Sequence, residues 1–338
     1  MNSIFVYCEN EKGKIADVSL ELLTKGRELA NRLNCKLEAL VVGHKLAGVE
    51  TELYEYGADV VHIADDARLS PYLTLPHTSI VTGIFEEEKP QIALFGASTL
   101  GRDLAPRVSS ALKSGLTADC TSLEIGNHAD SKGNEYKDLL LQIRPAFGGN
   151  IIATIINPDC RPQMATVREG VMRRAKTAVK TQGERRMVNV EKYLKAEDFA
   201  ISIIDRHLEE RKIDIKSAPI IVSGGYGVGS KENFDLLFEL ASVIGGEVGA
   251  SRAAVDAGYA EHARQVGQTG VTVRPKLYIA CGISGQVQHT AGMQESAMIV
   301  SINTDPEAPI NQIADYAING DLSVVIPKII KYYKANSK

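Results

Sequence analysis

Along its first two hundred residues the chain alternates short apolar runs with stretches of helical spacing. SIFVYCE (3–9), LEALVVG (37–43), DVVHIA (59–64) and QIALFGAS (91–98) are the short runs. Between the first two, Val18, Leu22, Leu29 and Leu33 fall roughly on one helical face. β-Branched runs separated by helices predict parallel strands with crossover helices. From 119 to 168 the pattern changes: LLLQIRPA (139–146), IIATII (151–156) and QMATVR (163–168) follow one another as strand-like segments. Consecutive strands without helices predict an antiparallel addition to the sheet.

A charged stretch, DRHLEERKIDIKSAP (205–219), then separates two halves and reads as a linker. Beyond it PIIVSGG (219–225) opens a second βα series. A helix is expected over 232–244, with Leu236, Leu237 and Leu240 on it, and GGEVGAS follows. KLYIACG (276–282) and AMIVSIN (297–303) read as two more buried strands, and SVVIPKIIKYYKANSK (323–338) as an amphipathic helix with a basic end. The expected fold is α/β in two domains: a parallel sheet with antiparallel strands over 1–205, a linker or hinge at 206–218, a Rossmann-like doubly wound domain over 219–322, and a closing helix at 323–338.

Composition narrows the functions without choosing one. At 338 residues the chain is comfortable for two domains, with 44% hydrophobic and 24% charged residues. A net charge of −4 gives no basic footprint and argues against nucleic acid as a partner. No apolar stretch approaches the ~20 residues of a membrane span. MNSIFVYCENEKGK lacks a signal peptide's positive start and long apolar region. Cys8, Cys35, Cys120, Cys160 and Cys281 are scattered with no CxxC pair, which argues against metal and iron–sulfur centres and for a reduced, cytoplasmic setting.

The candidate chemistry concentrates between Gly249 and Asn303. GASRAAVDAG (249–258), VGQTG (266–270), GISGQVQHTAG (282–292) and SINTDPEAPI (301–310) are four Gly- and hydroxyl-rich loops, each beside an apolar run. Glycine lets backbone N–H groups approach an anionic or heteroaromatic ligand closely. Arg252, Thr269 and His289 sit within these loops. SGGYGVGSKEN (223–233) also lies between a strand and a helix, but Gly225-x-Gly227 is followed by Gly229, one position too early for the dinucleotide fingerprint. Taken alone it reads equally as a tight turn or a diphosphate site. VGQTG alone is equally a plain turn, and Asn303 and Asp321 alone read as helix caps.

The order SRAAVDAG, VGQTG, GISG-x-x-QH, INTDPEAPI resembles the electron-transfer flavoprotein α subunit. The similarity runs outward from PIIVSGG (219–225) to ADYAINGDL (314–322), and GASTLGRDLAPRVSSAL (96–112) resembles the same family, so it covers nearly the whole chain. The resemblance implies noncovalent FAD and one-electron transfer between dehydrogenase partners. It implies cofactor contacts from Gly227, from Ser251 and Arg252, and from Val266, Gly267, Gln268 and Thr269. The GISG loop would add Ser284, Gly285, Gln286, Val287, Gln288 and His289. Arg252 is implied beside the isoalloxazine, where a cation stabilises the negative charge of reduced flavin and raises its potential. Thr269 could hydrogen-bond flavin N5, and His289 would stand at the pyrimidine edge of the ring. Asn303 and Asp321 are implied at the adenosine half, with Leu322 packing beside them. Many members carry arginine where this chain has Tyr226, and a tyrosine cannot neutralise phosphate charge.

The resemblance also implies a heterodimer in which 1–205 docks the β subunit and electrons leave toward an acyl-CoA (butyryl-CoA-type) dehydrogenase. RPAFGGNIIAT (144–154) resembles the electron-bifurcating branch, where NADH reduces a second FAD on the partner and one electron goes to ferredoxin; Arg144 would approach that flavin. In the simple type the partner holds AMP or another nucleotide instead. GASTLGRD (96–103) could bind a phosphate, though Ser98, Thr99 and Asp103 serve equally as caps. Two other classes stand beside this reading. A nicotinamide-dependent oxidoreductase must contend with the imperfect fingerprint and an acidic residue only at Glu247. A regulatory adenine-nucleotide module would use GASTLGRD and leave the C-terminal loops without a role.

Overall fold

The computed structural model describes residues 3–11, 13–129, 133–146, 151–177, 183–204, 215–216 and 218–336. Most of the expected linker, 205–214 and 217, therefore lies outside the described residues. The chain forms two compact units, the first holding nearly everything up to 204 and the second everything from 215 onward.

The first unit opens with β1 (Ser3–Cys8), a short hairpin of β2 (Asn10–Glu11) and β3 (Lys14–Ile15), and α1 (Asp17–Leu33). Then come β4 (Lys36–Gly43), α2 (Val49–Glu55), β5 (Val60–Asp65), α3 (Thr74–Glu88), β6 (Ile92–Gly96) and α4 (Thr99–Leu112). β1 has no exposed position because its alternate residues feed two cores. Ile4, Val6 and Cys8 pack with Leu22, Leu29 and Leu37, while Phe5 and Tyr7 pack with Ile80, Phe85 and Phe95. A strand buried on both faces is the signature of a parallel sheet covered by helices on each side.

The strand-rich stretch that follows divides in two. β7 (Leu116–Cys120) and β11 (Gln163–Val167) join the main sheet, with β11 parallel to β6 and pairing β7 on its other side. β8 (Ser122–Ala129), β9 (Glu135–Ala146) and β10 (Ile151–Ile155) make a separate three-stranded sheet in which β8 and β9 run antiparallel. β12 (Glu184–Met187) closes the far edge of the main sheet, whose order is β12-β5-β4-β1-β6-β11-β7. The expected antiparallel strands are thus present as their own sheet, and QMATVR runs parallel within the main one. Alternation along a strand reports burial but does not say which neighbour takes its hydrogen bonds.

The second unit contains β13 (Ile220–Gly224), α5 (Phe234–Ile244), β14 (Glu247–Ala250) and α6 (Arg252–Asp256). β15 (Leu277–Cys281), α7 (Val287–Thr290), β16 (Ile299–Asn303), β17 (Tyr316–Asn319) and α8 (Leu322–Asn336) complete it. The five strands are parallel in the order β14-β13-β15-β16-β17. Leu237 and Leu240 of α5 and Ile326 and Ile330 of α8 cover one face with Val222, Ile279 and Ile302. Each such buried aliphatic side chain contributes about 1.5–3 kcal/mol. Tyr278, Val266, Ile283 and Ile310 fill the other face. Among the described residues no helix is long and apolar enough to cross a membrane.

Candidate functional site

The chain leaves β13 toward β14 on one side and returns to β15 on the other, so the winding reverses between β13 and β15. In open parallel sheets the ligand crevice lies at the carboxyl ends of the strands at such a reversal. Here the strand ends are stitched together by backbone. Gly225 N–H donates to the Cys281 carbonyl (2.9 Å), Gly227 N–H to that of Gly282 (3.0 Å), and Gly282 N–H to that of Ile302 (2.9 Å). Ser251 N–H reaches Gly224, Val266 N–H reaches Ala250, and Gly320 N–H reaches Asn303, each at 2.9 Å. A Cβ at Gly225 would stand 2.1 Å from the Gly282 oxygen, so glycine is required for the two loops to touch. Gly227 is needed for the same reason, with 2.8 Å to that oxygen.

These loops enclose a cleft of about 980 Å³, at the upper end of the range for small-molecule and cofactor sites. Of the residues expected at a cofactor, all line it except Gln268, Gly285 and Val287. Gly285 has a different reason for being glycine: its φ is +87° and a Cβ would lie 2.3 Å from the Ile310 nitrogen. Gln268 acts through its backbone N–H, which donates to the Gln288 carbonyl at 2.7 Å and ties the VGQTG and GISG loops together.

Ser251 caps the five-residue α6, its hydroxyl accepting from Ala254 N–H, and thereby sets where Arg252 starts. The Arg252 side chain is two-thirds exposed, with Nε 3.4 Å from the Asp256 carboxylate one turn on. Asp256 lines the cleft too and escaped the sequence reading, although the i,i+4 spacing from Arg252 was there to find it. The Thr269 hydroxyl oxygen accepts from Gln265 Nε2 at 3.0 Å, which leaves its proton free to donate elsewhere.

His289 is buried between two partners. Its Nδ1 lies 3.1 Å from the Val266 carbonyl and its Nε2 3.0 Å from the Tyr278 hydroxyl. Burial holds its pKa down to about 4, with the Val266 carbonyl opposing. Tyr278, fully buried on β15, escaped the sequence reading because a tyrosine inside LYIAC gives only a core signal.

Asn303 is a stitch between loops. Its Nδ2 donates to the Ile283 carbonyl (2.9 Å) and its Oδ1 accepts from Asp305 N–H (3.0 Å). Asp321 stands just before α8 and accepts from Ser323 N–H and Oγ–H at 2.8 and 2.7 Å, as a helix cap does. Both nonetheless line the cleft, as do Thr304, Asp305 and the N-terminal Leu322 of α8. The start of the fifteen-residue α8 therefore lies at the cleft, with the Asp321 carboxylate already capping it.

The α5 end of SGGYGVGSKEN behaves as a closed turn. Asn233 Nδ2 donates to the Val228 carbonyl (2.8 Å), and of this segment only Tyr226 and Gly227 line the cleft. Tyr226 stacks on Tyr259, ring centroids 5.9 Å apart at 21°, and forms an exposed aromatic lip.

In the first unit GASTLGRD is a capping segment. Ser98 accepts from Gly101 N–H at 2.9 Å, and its own hydroxyl lies against both oxygens of the buried Glu9 carboxylate, 2.7 and 2.8 Å. That carboxylate occupies the space at the start of α4 where an anion would sit; Cβ atoms at Gly96 and Gly101 would meet it at 2.8 and 3.2 Å. Asp103 accepts from the Tyr72 and Thr74 hydroxyls and so ties α3 to α4. Arg144 lies on β9, close enough to Asp119 and Cys120 to act on both electrostatically. Residues 147–150 of RPAFGGN lie outside the described residues.

Comparison with known proteins gives the family. The electron transfer flavoprotein domain matches residues 4–193, and the electron transfer flavoprotein FAD-binding domain matches residues 214–294. The electron transfer flavoprotein subunit alpha of Thermoanaerobacterium thermosaccharolyticum is 46% identical over 98% of this chain and 97% of its own length. Protein FixB of Clostridium saccharobutylicum is 48% identical over 98% and 96% respectively. The acryloyl-CoA reductase electron transfer subunit beta of Anaerotignum propionicum is 41% identical over 98% and 95%. With both family domains in order and relatives of this identity along its whole length, the chain belongs to the electron transfer flavoprotein family as an alpha-type subunit.

Proposed function

We propose that the cleft at the β13–β15 reversal holds one FAD noncovalently, and that this chain is the α subunit of a heterodimer with an electron-transfer flavoprotein β subunit. The observation that carries the reading is the convergence of four separate loops on one cleft of cofactor size at a winding reversal. The lining suits the group: a cation at Arg252, an uncommitted hydroxyl proton at Thr269, glycines at Gly227, Gly267, Gly282 and Gly320 that let a ligand approach the backbone closely, and the start of α8. The bound flavin supplies one-electron redox chemistry. Arg252 offsets negative charge on the ring, with Asp256 moderating it. Thr269 would donate toward N5 and His289 would stand at the pyrimidine edge. Asn303, Asp321 and Leu322 hold the adenosine half, and Tyr226 offers a hydroxyl and a ring face in place of a charge. No acid–base pair is required of the chain.

The acceptor we propose is an acyl-CoA dehydrogenase of the butyryl-CoA type. The name of the Anaerotignum relative, acryloyl-CoA reductase electron transfer subunit beta, supports it. Within bifurcation, NADH would reduce a second FAD on the β subunit, one electron going to ferredoxin and the other to the FAD of this chain; Arg144 would face that second flavin. In the simple type the β subunit carries AMP. The division into a docking part (1–205), a connection (206–218), an FAD-binding part (219–322) and a closing helix (323–338), in a cytoplasmic setting, belongs to the same proposal.

The test is to co-express the chain with its β subunit and count flavin per purified heterodimer by visible absorption. Two flavins support bifurcation, and one supports the simple carrier. None after added FAD defeats the reading. For bifurcation, Arg144→Ala should weaken NADH oxidation or second-flavin binding; if both are unchanged, that role is withdrawn.

A further inference from the structure

We propose that Tyr278 is a positioning residue that locks His289 as the neutral Nδ1–H tautomer, so that the imidazole meets the cleft with neither a charge nor a free N–H. The argument starts at Val266. A backbone carbonyl can only accept, so the 3.1 Å contact requires the hydrogen to be on Nδ1. A neutral imidazole then has its lone pair at Nε2, and the group 3.0 Å from it is the Tyr278 hydroxyl. That hydroxyl is fully buried, and burial raises its pKa, so it keeps its proton and donates it. The opposite tautomer would set a nitrogen lone pair against a carbonyl lone pair in a buried site, at the cost of an unsatisfied polar group.

Protonating Nε2 would break the bond from Tyr278, and burial already disfavours the charge. Tyr278 faces His289 from β15, while Arg252 and Asp256 from α6, Asp305 after β16 and Asp321 before α8 line the same cleft. The backbone adds to the fixation. A Cβ at Gly267 would meet the Gln288 oxygen at 2.8 Å, so the VGQTG loop lies directly on the start of α7 and holds the Val266 carbonyl in place.

The consequence for redox chemistry rests on the FAD reading above. With His289 locked neutral, Arg252 is the cation among the described residues of the cleft wall. The potential of the bound flavin then carries no proton step from His289 between about pH 5 and 8, the range in which an ordinary histidine changes charge. Removing the Tyr278 hydroxyl frees Nε2 to take a proton or to donate to the ligand, and it introduces such a step.

The experiment uses the full chain co-expressed with its β subunit and labelled with 15N-histidine, as wild type, Tyr278→Phe and, for assignment, His289→Gln. Imidazole 15N shifts are followed from about pH 5 to 8. In the wild type, His289 should keep a protonated Nδ1 and a hydrogen-bonded, unprotonated Nε2 throughout. In Tyr278→Phe the Nε2 resonance should move to that of a free lone pair, and the protonated fraction at pH 5 should rise severalfold. A protonated Nε2 in the wild type, or identical spectra for the two proteins, overturns the proposal. The wild-type spectrum alone decides the tautomer, so the test survives a poorly folding variant. Flavin potential against pH is the second readout. A new pH-dependent segment in Tyr278→Phe, absent from the wild type, is expected, and an unchanged profile overturns the redox consequence. A preparation that binds no flavin defeats the FAD reading and leaves the tautomer measurement standing.

Discussion

At the scale of single residues, Arg252 and Asp256 make a coupled pair whose members should act in opposite directions. The guanidinium is two-thirds exposed and its Nε is 3.4 Å from the carboxylate, so the pair contributes little to folding. Arg252→Ala should change stability by no more than about 0.5 kcal/mol. With FAD bound, it should make reduction less favourable by about 1.5–3 kcal/mol, the worth of a hydrogen bond to a charged group. Asp256→Asn should shift the potential the other way, because it leaves the cation unopposed. Spectroscopic redox titration of the two variants checks both signs, and a potential indifferent to Arg252→Ala would remove this residue from the proposed site. Arg252 was legible in SRAAVDAG, whereas Asp256 depends on the helix actually turning there and Tyr278 on a contact across eleven residues of chain.

At the scale of elements, both units rely on glycines that let a loop or helix press on a strand end. Gly225 and Gly227 bring the β13 loop onto Gly282 beyond β15, and Gly101 brings the first turn of α4 onto β6, where a Cβ would meet the Gly96 oxygen at 1.9 Å. Backbone cannot yield as a flexible side chain can, so overpacking here costs about 1–3 kcal/mol or more. Gly225→Ala should therefore lose flavin while the first unit stays folded. Gly101→Ala should lower the melting temperature of the first unit and spare flavin binding in the second. Flavin absorbance together with limited proteolysis separates the two, and the reverse pattern would refute the assignment. The GASTLGRD segment also shows how a phosphate-like motif can serve as a cap. Glu9 places its own carboxylate at the helix start, a residue eighty-nine positions away that no local pattern connects to Ser98.

For the whole molecule, burial holds two histidines, His77 on α3 in the first unit and His289 on α7 in the second, at a pKa of about 4. Once unfolded, each titrates near 6.5. Between these values the unfolded chain binds more protons than the folded one, so stability falls as pH drops from 6.5 toward 4 and is fully present above 6.5. The full span corresponds to roughly 3 kcal/mol per histidine. Glu9 acts in the opposite sense, since burial raises its pKa: its contribution is most favourable below 4.5 and is lost as pH rises through its folded value. Urea denaturation at a series of pH values, read separately for the two units, should show acid-side destabilisation in both. Glu9→Gln should gain stability at neutral pH relative to its gain at pH 4, and a pH-independent difference would contradict this account.

The sequence by itself determined the class of fold, the order of elements and the family, because strand burial, helical periodicity and Gly-rich loop wording are all local properties. β1, β4, β5, β6, β13, β15, β16 and α8 all lie within a residue or two of the runs that predict them. It also named most of the cleft wall. Only the tertiary structure decided which strands pair, and so separated the β8–β9 antiparallel sheet from β7 and β11. The tertiary structure also placed the reversal between β13 and β15, and joined His289 to Tyr278 and Val266. Those outcomes depend on hydrogen-bond partners distant in sequence, and one residue's pattern carries no information about a partner that folding alone brings near.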